Sequence, residues 1–521
     1  MKHRRLLQAA PLLLAAFVAM WSLRGLEANN IIDTDAARHA MNGAFVRDLV
    51  ASGSVLQPIE YGKQYYGRLP SLSMPYHPPL FPAIEALFFW ALGVNLFAAR
   101  LAVALAAGVA VYLLYRLILA THSSHALAAA VVLTFFLWPP SQLAAADVML
   151  EFPALAFLLG AIWCLRGIGH EYSLRAGILF ALLAGAGVWS KQHAVFLGLV
   201  PFAYIILSRR FRLLGQKTIW ISSALFGAQV IGLWMLNRPF NRSGGDQAPP
   251  PNEFGAIAIH NADYYRHALG RYIGDAGVLL LVGILLLSLI DAWAERRLVG
   301  RALYPAWAAT GLLMLLWLGA YDIRYLMFVL PPLVVMAYAA LARLARMVSL
   351  RWAWVAPAAV AAAFAARDVT MPTPFLRGPA ESAAAVLQHS PKRVLYCGMA
   401  DGNFIFSVRS LDRSRSTAVL SGDRLPPSVF EVEAFEKFAH RYGVEYVLIE
   451  YPAKDDVPYF GLAETPTRSM VLEREITMDS YPPRWRGRVL RMYRFTNPSP
   501  HPEDMLLLNV NKLAPSMEFR L

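Results

Sequence analysis

Charge is scarce in this sequence. Only 16% of its 521 residues are Asp, Glu, Lys or Arg, against 57% hydrophobic. Soluble domains carry roughly a quarter charged residues, so the shortfall excludes an ordinary soluble domain, and a mean hydropathy of +0.43 agrees. Cysteine is scarcer still. Cys164 lies in an apolar run and Cys397 in a polar tail, which leaves no disulfide framework and no zinc spacing. A GxGxxG turn is missing too. The segment YCGMADGNF (396–404) follows an apparent strand but lacks the spacing, so nucleotide binding there has little support. Acids are fewer than bases, 35 against 48, for a formal charge of +13. In a soluble chain that excess would suggest nucleic acid. Here the bases sit in short clusters between apolar runs, a topological signal, and no nucleic-acid partner is expected.

Long apolar runs are what the sequence has in abundance. A membrane span needs about 20 apolar residues. Eleven segments qualify: 6–24, 97–119, 125–145, 152–167, 174–190, 192–208, 218–237, 276–294, 303–320, 323–345 and 352–367. The first resembles a signal peptide, but its apolar stretch is long and no small-x-small site ends it, so it reads as an uncleaved span. A further run, 80–94, is short, opens on prolines and contains Glu85. If it does not cross, every basic cluster falls on one side: Lys2/Arg4/Arg5, Arg116, Arg166/Arg175, Arg209/Arg210/Arg212/Lys217, Arg296/Arg297/Arg301 and Arg343/Arg346/Arg351. If it does cross, the positive-inside rule fails repeatedly. The run therefore reads as an interfacial or re-entrant helix on the outer face, with the N-terminus inside.

Two long outer loops follow. Loop 25–96 contains DAARHAMNGAFVRDLVASG, a helix near the membrane plane; loop 238–275 carries the Gly/Pro-rich NRSGGDQAPPPNEF. The fold class expected is mainly α: a polytopic helical membrane domain (1–369) followed, on the non-cytoplasmic side, by a small soluble α/β domain (370–521). PTPFLRGP reads as the linker. RVLYCG, TAVLSGD, VEYVLIEY and RVLRMYRF read as strands, and NFIFSVRSL and VFEVEAFEKFAHRYG as helices, which suggests a partly parallel sheet.

Polar residues gather at the outer ends of the spans: Asp33, Asp35, His39, His77, Asp147, Glu151, Lys191, Gln192, His193, Asp322, Arg324 and Tyr325. Ionisable groups at such depth are expensive unless paired or hydrated, so they default to a functional reading. Asp33 or Thr34 can cap the helix that follows, and either aspartate can act as a general base toward a hydroxyl. Two carboxylates this close also suit a divalent metal. His77, after Tyr76 and before Pro78-Pro79, can donate to a phosphate or a sugar hydroxyl, or be structural. Asp147 and Glu151 share a helical face, and Glu151 also suits a helix N-terminus. Lys191 and Arg324 are cations fit for a departing phosphate; snorkelling is the alternative.

This order of motifs resembles the C-fold (GT-C) glycosyltransferases of the protein O-mannosyltransferase and lipid A aminoarabinose transferase superfamily. The resemblance rests on Asp35-Ala-Ala-Arg-His-Ala40, Tyr76-His-Pro-Pro-Leu80, Phe97-Ala-Ala-Arg-Leu101, Trp189-Ser-Lys-Gln192 and Arg324-Tyr325 with Pro331-Pro332, and covers roughly 5–350. It implies inverting transfer from a polyprenyl-phosphate sugar to a hydroxyl of a lipid, glycan or protein, in a bacterial inner membrane with the site periplasmic. Asp35 matches the family's first-loop catalytic aspartate. Relatives often carry a second acid beside it; here Ala36 stands there and Asp33 lies two residues before, so the division of roles between Asp33 and Asp35 stays open. Lys191 and Arg324 fall where relatives contact the donor phosphate. Tyr76, His77, Asp147 and Glu151 are the further substrate-binding candidates. A polysaccharide ligase or polymerase, or a secondary transporter, are the competing readings; transporters show repeats that this sequence lacks.

Overall fold

The computed structural model describes residues 2–26, 31–168, 172–238, 253–294, 299–319, 321–348, 355–370, 373–453, 456–481, 483–508 and 517–521. Within the described residues, each apolar run named above is mostly helical. Chain order gives α1 (Lys2–Ser22), α2 (Thr34–Ala51), α3 (Pro58–Arg68), α4 (Leu80–Leu92), α5 (Leu96–His122), α6 (His125–Leu137), α7 (Pro139–Ala145), α8 (Glu151–Leu165), α9 (Leu174–Ser190), α10 (Val200–Leu207), α11 (Lys217–Asn237), α12 (Phe254–Ala294), α13 (Val299–Trp317), α14 (Leu330–Val348) and α15 (Val355–Thr370). Among the described residues, three helices are long and apolar enough to cross a membrane unaided: 96–122, 217–237 and 254–290. The other apolar helices are shorter or broken.

The breaks have local causes. Segment 125–145 was expected as one span, but α6 and α7 bend by 73°. Trp138 is extended (φ −64°, ψ 128°) because Pro139 and Pro140 follow it; proline removes a helix N–H and drives its predecessor out of the α region. Segment 192–208 starts as a 3-10 turn (Gln192–Leu199), and Pro201 then opens α10. The expected second loop, 238–275, is partly helical. Its Gly/Pro-rich part lies outside the described residues, but Phe254–Ile273 is helix, and Gly274 (φ 72°) breaks α12 before the apolar run. The basic clusters are described only in part: Lys2, Arg4, Arg5, Arg296, Arg297, Arg301, Arg346 and Arg351 lie outside the described side chains. Arg116 and Arg166, from two clusters assigned to one side, both stack on Trp163.

Loop 25–96 is a helical platform. Asn42 of α2 donates to Ser73 Oγ (2.9 Å) and accepts from the Ser73 N–H (3.0 Å), which fastens the Tyr76–His77 turn to α2. Arg100 of α5 is buried and donates to the carbonyls of Ser22 and Arg24 at the end of α1 (2.8 and 2.6 Å). Helix α4 packs on α2 with Phe81, Glu85 and Phe89 buried, and leaves Leu87 and Trp90 exposed. Both Glu85 oxygens lack a partner among the described residues. Gly43 makes room for that carboxyl; a Cβ there would collide with it.

The tail holds a six-stranded sheet with β1 (Phe375–Arg377), β2 (Arg393–Cys397), β3 (Ala418–Ser421), β4 (Tyr446–Tyr451), β5 (Met470–Tyr481) and β6 (Arg488–Phe495), in the order β1-β5-β6-β4-β2-β3. Strands β2, β3 and β4 are parallel; the rest pair antiparallel. Helices α16 (Pro379–Leu387), α17 (Asp401–Leu411), α18 (Val432–Arg441) and α19 (Phe460–Glu464) accompany it, with a β7–β8 hairpin (Met505–Leu508, Met517–Arg520) at the end. The expected linker is partly wrong: Phe375–Arg377 within it pairs with β5 as an edge strand.

The sheet domain is docked on α2. Asn403 donates to the Ile31 carbonyl (2.8 Å). A Cβ on Gly402 would lie 3.3 Å from that of Ala37 and 3.1 Å from Ser71 Oγ, so glycine lets α17 approach α2 this closely without displacing a neighbour. Arg409 of α17 makes a bidentate bond with fully buried Asp48 of α2 (Nε–Oδ2 2.8 Å, Nη2–Oδ1 2.7 Å). Burial alone would raise the Asp48 pKa, yet the guanidinium bonds hold it below the usual carboxylate value. Two outcomes follow. Arg409→Ala removes the bidentate partner of Asp48, leaves it to Arg47 and Arg415, and should destabilise the docked domain by about 1.5–3 kcal/mol, read as early unfolding in denaturant and faster proteolytic release of the tail. Glu85→Leu removes an unpartnered carboxyl, so thermal melting should show it neutral or stabilised.

Candidate active site

The outer-end residues converge. Asp33 is the N-cap of α2: its Oδ1 accepts from the Asp35 N–H at 2.8 Å. Its own N–H donates to Asp147 Oδ2 at 2.7 Å, bridging 114 residues. Asp147 is buried in the turn between α7 and α8 and also accepts from the Val148 N–H at 2.8 Å. Burial raises the Asp147 pKa to about 7, assisted by the Asp33 charge, while the two N–H bonds oppose the rise. Burial raises Asp33 as well, against the pull of Arg324.

Asp35 is placed differently. Its side chain is 41% exposed and, among the described residues, is held only by Arg38 (3.6 Å) and Arg324 (3.6 Å). Arg324 begins the 3-10 turn Ile323–Phe328, which Asp322 caps. Its guanidinium is forked on Asp322 Oδ2 (Nε 3.0 Å, Nη2 2.9 Å), while Nη1 faces Met149 Sδ at 3.6 Å. This local ion pair aims Arg324 at Asp35. Lys191 caps the end of α9 and is buried. Its ammonium pairs with Glu151 of α8 and lies 5.1 Å from the Tyr325 ring centre. Tyr325 in turn stacks on His193 (4.1 Å).

The histidines complete the cluster. His39 and His77 meet edge-on at 4.6 Å, and Tyr76 lies against His77 at 4.9 Å. Burial, then the Lys191 charge, lowers the His77 pKa to about 4, while Asp35 and Glu151 pull the other way. Burial and His77 hold His39 well below its ordinary value. Both rings are thus neutral near pH 7, each able to donate one hydrogen bond without adding charge. The field of Arg484, from the sheet domain, also reaches Asp33. That contribution, like the docking of Asn403 on Ile31, had no signal in the sequence. Among the described residues no three His, Cys, Asp or Glu side chains form a metal-binding group.

A helical membrane domain carrying its outer-loop aspartates over the ends of several spans, with a small sheet domain beside them, is the architecture of the GT-C class. Comparison with known proteins agrees. Residues 76–234 match the family model for dolichyl-phosphate-mannose-protein mannosyltransferases. ArnT from Cupriavidus metallidurans is structurally similar both bound to undecaprenyl phosphate (TM-score 0.57, 16% identity, covering 95% of this chain and 100% of that one) and in the apo state (TM-score 0.55, 16% identity, 95% and 99%). No curated protein sequence matches significantly. The chain has the GT-C fold, with helices long and apolar enough to cross a membrane, and within it residues 76–234 match a glycosyltransferase family model. The family match spans His77, Asp147, Glu151 and Lys191 but stops short of Asp35 and Arg324.

The neutral histidines give the site a pH signature. An unfolded histidine titrates near 6.5, the folded His77 near 4. Between those values the unfolded chain binds more protons, so this contribution to stability is lost as pH falls through the window. Asp147, raised to about 7, acts in the opposite sense, so the informative quantity is a difference. Going from pH 7 to 4, wild type should lose more melting temperature than His77→Gln; equal losses would show that His77 is not held neutral.

Proposed function

We propose that the chain transfers a sugar, with inversion, from a polyprenyl-phosphate donor to an acceptor hydroxyl at the extracytoplasmic face of a bacterial inner membrane. One observation carries the reading: an open carboxylate, Asp35, stands 3.6 Å from a guanidinium, Arg324, delivered from a segment nearly 300 residues away. This displacement needs a base and a phosphate-binding cation at one site, and the sugar must enter between the two, parting their contact. The undecaprenyl phosphate bound to the structurally similar ArnT supports the donor class.

Asp35 takes the proton from the acceptor hydroxyl as its oxygen bonds to the anomeric carbon. The bond from that carbon to the phosphate oxygen breaks on the opposite face, and the polyprenyl phosphate departs with the electron pair. Arg324 meets the growing phosphate charge with its planar fork, and Lys191 adds a second cation. Asp33 acts as the cap that fixes the start of α2, and so the position of Asp35. His77 and Tyr76 line the sugar's side, and neutral His77 donates without competing for the base. Asp147 and Glu151 hold the Asp33 backbone and Lys191 in place and offer oxygens to sugar hydroxyls. The isoprenoid tail needs an apolar path; a cavity of about 560 Å³ between α1, α6 and α15, lined by Phe17, Trp21, Leu133 and Leu137, offers one. The sheet domain, docked on α2, borders the acceptor side.

General-base catalysis contributes roughly 10²–10⁴-fold in rate. Asp35→Asn should lose activity by about that factor in an assay with radiolabelled polyprenyl-phosphate sugars, with an unchanged melting temperature, since Asp35 is not the cap. Asp33→Asn, which keeps an N-cap, should retain far more activity. A fully active Asp35→Asn protein would remove the assignment.

A further inference from the structure

We infer that the cleft between α3 and the sheet domain is a second anion site, built for a phosphate-class oxyanion, and separate from the proposed donor site. Thirteen residues of α2 separate Asp35 from Asp48, which floors this region; at helical rise that is about 20 Å. The inference does not depend on the transfer chemistry.

The argument is one of charge. Asp48 is fully buried, and three guanidiniums crowd its single carboxylate: Arg409 bidentately, Arg47 at 2.9 Å and Arg415 at 3.5 Å. Arg68 of α3 adds a fourth, bonded to the Arg415 carbonyl and paired with no carboxylate among the described residues. These groups border a cavity of about 160 Å³, lined by Arg68, Arg409 and Arg415 together with Tyr61, Gln64 and Asp412. Asp412, also in the lining, offsets one of these charges. Its oxygens are taken by its own loop, from Ser414 Oγ (2.5 Å), the Thr417 N–H (2.8 Å) and Ser416 Oγ (3.5 Å), and it forms no ion pair with an arginine. That loop holds Arg415 at φ 55°, a left-handed backbone unusual for arginine. Three guanidiniums at the cavity, Arg68, Arg409 and Arg415, against two carboxylates, Asp48 beneath and Asp412 in the wall, leave one net positive charge around a concave space of phosphate size, with Arg47 holding Asp48 from outside it. Planar guanidiniums bind tetrahedral oxyanions bidentately, and the Gln64 amide and Tyr61 hydroxyl add neutral donors. The oxyanion can come from a phospholipid headgroup at the membrane surface or from a soluble phosphate.

The test uses the full chain in phosphatidylcholine nanodiscs, saturated with undecaprenyl phosphate so that the donor phosphate site is filled. Inorganic phosphate is titrated calorimetrically. Wild type should bind one equivalent, and Arg68→Gln with Arg415→Gln should weaken it by about tenfold or more, the worth of a lost charge-assisted bond. Arg68→Gln alone leaves the Asp48 pairing intact and serves if the double variant melts abnormally. Absence of binding by wild type, or unchanged binding by a folded variant, overturns the proposal. Repeating the titration in discs containing phosphatidic acid separates the sources: loss of phosphate binding identifies a lipid headgroup, and persistence identifies the soluble anion. Should undecaprenyl phosphate itself fail to bind at Lys191 and Arg324, the transfer reading suffers, while a phosphate equivalent dependent on Arg68 and Arg415 still stands.

Discussion

A buried charge must find its partner, and here the partners are far apart in sequence. The pair that matters most is Asp48 with Arg409. Its 361-residue reach ties the first-loop helix α2 to the sheet domain, and α2 carries the rest of the site. The N-terminal end of that helix holds Asp33 and Asp35, its middle grips the His77 turn through Asn42, and its C-terminal end is anchored by Arg409. Once α2 is fixed, Asp147, Lys191 and Arg324 come to it from the ends of the spans. The cost of desolvating Asp147, and of desolvating Glu151 with Lys191, is met by neighbours from distant segments.

Within the cluster the carboxylates divide by environment. Asp33 and Asp147 are tied by backbone N–H groups, Glu151 by Lys191, and Asp322 by Arg324. Asp35 alone of the aspartates foreseen as catalytic keeps an open face, beside a guanidinium that it shares with Asp322. The same division separates structure from chemistry: tied carboxylates set positions, and the open one can accept a proton. Neutral histidines suit this arrangement, because an imidazolium beside Asp35 would compete for the carboxylate and weaken it as a base.

Much of the fold was legible because hydropathy is a local signal. The apolar runs are helices, and the strands of the parallel core, β2, β3 and β4, are short buried runs. Strand β5 was missed because its middle, Leu-Glu-Arg-Glu, is exposed and charged; it is held by cross-strand pairs, Arg491 on Glu475 and Arg494 on Glu473, that no single segment reveals. The bend before Pro139 was written in the prolines but hidden by the unbroken apolar run around them. In the site, residue types were readable and pairings were not. Asp33 and Asp35 looked alike in sequence; only the N–H of Asp35 pointing back at Asp33 distinguishes cap from open carboxylate. The Asp48 cluster was invisible for the same reason, since its arginines 409 and 415 belong to another domain.

The central claim is a geometric one: the donor's phosphate rests on Arg324 and Lys191, across the anomeric carbon from Asp35. An experimental structure of the chain with a polyprenyl phosphate bound tests it most directly. The account requires phosphate oxygens within hydrogen-bonding distance of the Arg324 guanidinium and the Lys191 ammonium, with room for a sugar between them and Asp35. A phosphate seated elsewhere, with Arg324 still closed on Asp35 and Asp322, would contradict it.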